Sequence, residues 1–297
     1  MRESKKYLDP GTLNRISGLE LRARRVVEGY LAGLHRSPYH GWSVEFAEHR
    51  PYSPGDELRH IDWKLWARSD RFFVKLYEEE TNVRAQFLVD ASASMGYASG
   101  QTTKYDYGCT LAASLAYLLL TQRDAVGLTL FDDDLRAELP PAANPGRLRS
   151  FCRLLQQAAP RGQTDLGNLL HRVADRLSGR GIVVLVSDLF GPVDDLHSAL
   201  QRFRYEGHAV IVVHVLDPAE AEFPFDGNVR FEGLEEGREL ATGAGEVREA
   251  YLEAFRRFTD SVQRACAELE ADYVLADTRR EAGATLFRFL SARAANR

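Results

Sequence analysis

From residue 81 onward the chain alternates short apolar runs with stretches of helical period, and this alternation most narrows the folds open to it. The runs are Ala85 to Asp90, Val126 to Phe131, Ile182 to Ser187, Ala209 to Leu216 and Tyr273 to Ala276. All are rich in Val, Leu and Ile, as parallel strands buried on both faces should be. Between them, Lys104 to Gln122 places Tyr107, Leu111, Leu115 and Leu118 on one face, with Thr102 and Thr103 as candidate caps. Leu166 to Leu177 and Leu196 to Tyr205 behave alike. Strands separated by helices predict an α/β domain, a mostly parallel sheet with helices on both faces. Two excursions interrupt the rhythm. Leu135 to Leu139 precedes Pro140-Pro141, and Val229 to Leu240 reads as a hairpin around Glu235-Glu236-Gly237. A long helix from Glu246 to about Leu269 then returns to the last strand, and Ala282 to Ala295 closes the chain.

Residues 1–80 read differently. Ser17 to His35 predicts a helix with Leu21, Val26, Val27, Tyr30, Leu31 and Leu34 as its apolar positions, stopped by Ser37-Pro38, and Arg22, Arg24 and Arg25 form a solvated face. Gly41 to Glu80 holds Trp42, Trp63 and Trp66, two turn signals and the strand-like run Phe72 to Tyr77. Two parts are therefore expected: an N-terminal helix and partly β extension over 1–80, packed on a main α/β domain over 81–297.

A formal net charge of -5 without a basic stripe interleaved with aromatics argues against nucleic acid as a partner. Cys109, Cys152 and Cys266 are odd in number and far apart, which predicts reduced, packed thiols in a cytoplasmic protein. Met1 to Lys6 leads into no apolar segment, and the longest greasy run, Leu111 to Leu120, is too short to span a bilayer, so no direct membrane insertion is expected.

In open α/β sheets, functional groups collect at the carboxyl ends of the strands. There the chain places Asp90-Ala91-Ser92-Ala93-Ser94, directly after Phe87-Leu88-Val89. Side chains alternate along a strand, so positions 90, 92 and 94 start on one face and the following turn can gather three oxygens about one point. Magnesium favours a near-octahedral set of oxygens and keeps several waters, so a few carboxylates and hydroxyls on a rigid strand end suit it. Ordinary caps and turns use the same residue types. Two further oxygens come from Asp188, which follows the strand Ile182 to Val186, and from Thr164 in a glycine-containing loop that leads into a helix.

D-x-S-x-S, a loop threonine and an aspartate at a later strand end together resemble the metal-ion-dependent adhesion site of von Willebrand factor A domains. The resemblance covers roughly residues 81 to 280 and implies a von Willebrand factor A-like (Rossmann-like) fold. It implies Ser92, Ser94 and Thr164 as direct ligands of Mg2+, with Mn2+ as the alternative, and Asp90 and Asp188 as direct or water-bridged ones. Two positions depart from the family pattern: Leu189 and Gln163 stand where glycine is frequent. Upstream, Glu45 to Tyr52, Pro54 to Lys64 and Ala67-Arg68 look like the signature of the bacterial domain-of-unknown-function 58 family. That resemblance implies an adaptor or chaperone-like role beside a MoxR-type AAA+ ATPase, and contact with other von Willebrand factor A-domain proteins. Arg50, Asp56, Arg59, Asp62 and Arg68 in this signature fit an ion-paired clamp or a partner-docking surface. The expected function is thus a non-enzymatic, metal-dependent protein-binding module. A phosphoryl-transfer or hydrolytic enzyme using Asp90 and a metal-free scaffold are the alternatives. Asp132-Asp133-Asp134 reads as a solvated turn, and Gly100 to Lys104 lacks the spacing of a phosphate-binding loop.

Overall fold

The computed structural model describes residues 18–28, 49–51, 72–75, 83–177, 179–235 and 239–295. The chain forms two compact units, one of Met1–Ala32 with Val83–Arg297 and one of Gly33–Asn82. In the smaller unit β1 (His49–Pro51) pairs antiparallel with β2 (Phe73–Lys75), and Arg50 stands opposite Val74. The remaining clamp candidates, Asp56, Arg59, Asp62 and Arg68, and the three tryptophans lie outside the described residues.

In the larger unit a helix over residues 18–28, α1, buries Leu19, Ala23 and Val27 in the main core, so it belongs with the α/β unit, whereas the sequence groups it with the extension. The face it buries also differs from expectation. Leu21 points outward, 53% exposed, because the buried stripe runs through residues 19, 23 and 27 at four-residue steps. Arg22, Arg24 and Arg25 are exposed as expected, and Arg24 lies over the Tyr117 ring at 5.4 Å.

Six strands form the sheet, in the order β10 (Asp272–Asp277), β7 (Ala209–Leu216), β6 (Ile182–Ser187), β3 (Arg84–Asp90), β4 (Ala125–Phe131) and β5 (Leu135–Ala142). Neighbours are parallel except β5, which runs antiparallel to β4. Pleating sorts the side chains. Phe87, Val89, Val184 and Val186 pack on one face under α1, α2 (Lys104–Thr121), α3 (Arg147–Gln157) and the C-terminal α8 (Ala282–Ala295). Leu88, Val183 and Leu185 pack on the other under α4 (Leu166–Ala174), α5 (Val193–Tyr205) and α7 (Ala244–Glu268). The expected hairpin is β8 (Asn228–Glu232) with β9 (Glu239–Gly243), reached from β7 through the short helix α6 (Pro218–Glu222).

Two readings change. Leu135 to Leu139 is not an excursion but most of the edge strand β5, which continues through Pro140-Pro141. Proline is tolerated there because an edge strand need not donate on its outer side, and the register slips between Val126 and Leu128 where the prolines pass. Helix α3 has no counterpart in the sequence reading. Its three arginine- and glutamine-rich turns hide the stripe Leu148, Phe151, Cys152 and Leu155, which is buried, with Phe151 edge-on to Phe87 at 5.2 Å.

From β3 the chain builds the sheet outward through β4 and β5, then returns to build the other half through β6, β7 and β10. The reversal leaves a crevice beyond the carboxyl ends of β3 and β6, the place where open α/β sheets bind their ligands.

Candidate functional site

Asp90 ends β3 and Asp188 follows β6, so the two carboxylates flank that crevice on adjacent strands. Asp90 is 1% exposed, and both of its oxygens are engaged. Oδ1 accepts the Ser92 N–H at 2.8 Å and Oδ2 accepts the Ser187 hydroxyl at 2.6 Å. Burial first, and then the neighbouring charge of Asp188, push the Asp90 carboxyl up to about 7 against the pull of these hydrogen bonds. The chain beyond β3 turns at once. Ser94–Gly96 forms a single 3-10 turn, which brings Ser92 Oγ within 3.1 Å of Ser94 Oγ.

Thr164 comes from far along the chain, in the loop between α3 and α4, and backbone hydrogen bonds hold that loop to the serine loop. Ala93 N–H donates to the Gly162 carbonyl at 3.1 Å and Arg161 N–H to the Ala91 carbonyl at 2.9 Å. Gly162 takes a φ of 75°, in the left-handed region where glycine is unstrained. Arg136 braces the same place, donating to the carbonyls of Ala91 (3.2 Å) and Ala159 (2.8 Å). Asp132 is not the solvated turn residue expected. It is 6% exposed, pairs with Arg136 at 3.4 Å and lies beside Gly162. Gln163 donates to the Glu235 carbonyl of the hairpin at 3.4 Å.

The donor set suits a hard cation. Ligands cis to one another on an octahedral ion with bonds of about 2.1 Å sit about 3 Å apart, which is close to the spacing of the two serine hydroxyls. Thr164 Oγ1 is buried with no hydrogen-bond partner, a state that costs free energy unless something outside the chain satisfies it. Among the described residues no three His, Cys, Asp or Glu side chains cluster as ligands, so the candidate set is two carboxylates with hydroxyls, all hard oxygen donors.

Three residues that the sequence reading did not assign to the site complete it. Lys104, the first residue of α2, is fully buried and donates to Asp188 Oδ2 at 2.7 Å and to Glu220 Oε1 at 2.5 Å. Burial works against its ammonium, but Asp188 and Glu220 outweigh burial and hold its pKa above the ordinary lysine value. Its Nζ also lies 4.9 Å from the centre of the Phe190 ring. Glu220 is held in turn by the capping box of α6, where its Oε2 accepts the Asp217 N–H at 2.9 Å. His214 on β7 contacts the Asp188 carbonyl through Nε2 at 3.0 Å and the Tyr273 hydroxyl through Nδ1 at 2.9 Å, and burial lowers its pKa to about 4. One signal for Lys104 was present: a lysine in the first turn of a helix opposes the helix dipole and needs another reason to be there.

Leu189 has a φ of 58°, so a left-handed turn of the kind that favours glycine is made here by a leucine. Its N–H donates to Ser187 Oγ at 2.9 Å, and that hydroxyl donates to Asp90.

A central mostly parallel sheet, one antiparallel edge strand next to β4 and oxygen donors at the β3 and β6 ends make a von Willebrand factor A-like domain. A crystal structure of an aerotolerance-related membrane protein from Bacteroides fragilis matches 70% of this chain and 97% of its own, with 19% identity and a TM-score of 0.50, a likeness of fold. The conserved hypothetical protein BatB from Bacteroides thetaiotaomicron matches 72% of this chain and 99% of its own at 18% identity and a TM-score of 0.46. In sequence, Rv1480 of Mycobacterium tuberculosis strain H37Rv is 29% identical over 285 residues, 94% of this chain and 84% of that protein. The family described as protein of unknown function DUF58 matches residues 48–260, and the chain belongs to that family.

Proposed function

We propose that this protein is a divalent-metal-dependent protein-binding module that acts as an adaptor or co-chaperone of a MoxR-type AAA+ ATPase. The observation that carries the metal reading is the convergence of Ser92 and Ser94 beside Asp90, together with the partnerless buried hydroxyl of Thr164 on a loop tied to theirs. Ser92, Ser94 and Thr164 would hold Mg2+, or Mn2+, with Asp90 and Asp188 supplying the negative charge. The bound ion would offer an open position to a carboxylate of a partner protein, a charge-assisted and directional contact. Phe190, 39% exposed and two residues beyond Asp188, adds apolar surface next to that position. Asp90 suits a supporting ligand better than a nucleophile, since it is almost fully buried with both oxygens already accepting hydrogen bonds. The ATPase partner and a cytoplasmic setting rest on the family resemblance. Among the described residues no helix is long and apolar enough to cross a membrane.

The test is binding of the purified protein to its MoxR-type ATPase, followed by sedimentation or calorimetry in magnesium and in chelator. The expected result is a complex in magnesium that is lost in chelator and with Asp90→Ala. Equal binding under all three conditions would refute the metal bridge.

A further inference from the structure

Lys104 is an unusual companion for a cation site. Its ammonium is buried against Asp188, one of the carboxylates that would serve the ion, yet a second positive charge close by opposes any metal. It occupies one oxygen of that carboxylate: Asp188 Oδ2 accepts from Nζ at 2.7 Å, while among the described residues Oδ1 has only a long 3.4 Å contact from the Phe190 N–H and is the oxygen left for other use. Glu220 sits on the far side of the ammonium at 2.5 Å, its side chain 14% exposed, and returns part of the negative charge that Lys104 removes. Residues 104, 188 and 220 thus form one chain of charges, acid, ammonium, acid, ending at the ion's side of the crevice.

We infer that Lys104 is a positioning residue that sets the ion affinity of this site, with Glu220 as its counterweight. The inference rests on the metal reading above. Lys104 holds Asp188 to one free oxygen and weakens the ion's grip through its charge, whereas Glu220 strengthens that grip by cancelling part of the same charge. A site so balanced holds the ion loosely by itself and gains most from an anionic oxygen brought by a partner, so partner and ion bind cooperatively.

The two residues should therefore act with opposite sign, which a salt bridge that merely pins α6 to α2 would not produce. Magnesium chloride alone is titrated by isothermal calorimetry into the full-length wild type, Lys104→Met, Glu220→Gln and Asp90→Ala. Lys104→Met is expected to tighten magnesium binding about tenfold, and Glu220→Gln to weaken it by a similar factor, from the loss of one charge a few ångströms beyond Asp188. Binding by the wild type that vanishes in Asp90→Ala, but changes in the same direction or not at all in the other two variants, would overturn the role of Lys104 and leave the metal site standing. No binding by the wild type, or undiminished binding by Asp90→Ala, would overturn the metal reading itself and this inference with it. Should Lys104→Met fail to fold, Glu220→Gln decides alone: weaker binding supports the counterweight, and unchanged or tighter binding refutes it.

Discussion

Replacing Leu189 sets a strained backbone against a buried side chain, and the structure says which should win. Its φ of 58° lies in the left-handed region, which costs a residue with a Cβ about 1–2 kcal/mol. The side chain is 3% exposed within the core on the α5 and α7 face of the sheet, where truncating a leucine to alanine costs about 2–5 kcal/mol. Burial exceeds strain, so leucine is favoured here over the glycine that the backbone alone would prefer. Alanine loses the packing and keeps the strain. Glycine loses the packing but relieves the strain, less about 0.5–1 kcal/mol for its greater freedom in the unfolded chain. The expected order of stability is wild type, then Leu189→Gly, then Leu189→Ala, with alanine about 3 kcal/mol below wild type and glycine recovering up to about 1 kcal/mol of that. Equilibrium urea unfolding in chelator, with equal slopes across the three proteins, measures it. Alanine more stable than glycine would refute the reasoning, because it would mean that the turn carries no strain. The same turn aims the Leu189 N–H at Ser187 and thereby fixes Asp90, so Leu189→Gly should also keep its magnesium affinity.

Thr164→Val removes a buried hydroxyl that has no partner, so in chelator its stability should equal or exceed the wild type by up to about 1 kcal/mol, while magnesium affinity falls at least tenfold by calorimetry; a lower melting temperature in chelator would count against this. His214 is kept neutral by burial, with its pKa lowered from 6.5 to about 4. Between those values the unfolded chain binds the proton and the folded one does not, so stability drops by roughly 3 kcal/mol as pH falls through that window. A chelator-buffered stability series from pH 7 to pH 4 should show that decline in the wild type beyond the one in His214→Gln, and parallel curves would refute it. At Gly127 an added Cβ would lie 2.0 Å from Gln86 Oε1, 2.8 Å from the Leu139 carbonyl oxygen and 2.9 Å from the Pro141 nitrogen. The glutamine can move but the paired backbone cannot, so Gly127→Ala should cost about 1–3 kcal/mol and speed hydrogen exchange in β5; wild-type exchange rates would show that the strand yields freely.

The sheet was legible because its strands declare themselves locally. Buried on both faces, β3, β6 and β7 need apolar side chains at most positions, and Phe87-Leu88-Val89 or Ile182 to Val186 satisfy that need without reference to anything distant. What escaped was decided by context. The edge strand β5 has only one neighbour and so tolerates the two prolines that argue against a strand in isolation. Helix α3 buries only the stripe Leu148, Phe151, Cys152 and Leu155, and the exposed Arg149 and Arg153 between those positions dilute the pattern. In α1 the sequence offers Leu21 and Val27 alike, and only packing selects the face with Ala23 at its centre.

The oxygens of the site were legible for the same local reason, and its charges were not. Asp90, Ser92 and Ser94 lie within five residues, and a strand end places them together whatever the rest of the chain does. Lys104 meets Asp188 across 84 positions and Glu220 across 116, so nothing in the neighbourhood of any one of them announces the other two. Burial makes the grouping necessary. Lys104 has no exposure through which water could solvate its ammonium, and a buried ammonium persists only where acids surround it. A lysine at the start of a helix is therefore ambiguous in sequence and decisive in structure. With Asp188 beyond β6 and Glu220 of α6 both drawn to one ammonium, the charge next to Asp188 is fixed by tertiary packing and not by its neighbours in the sequence.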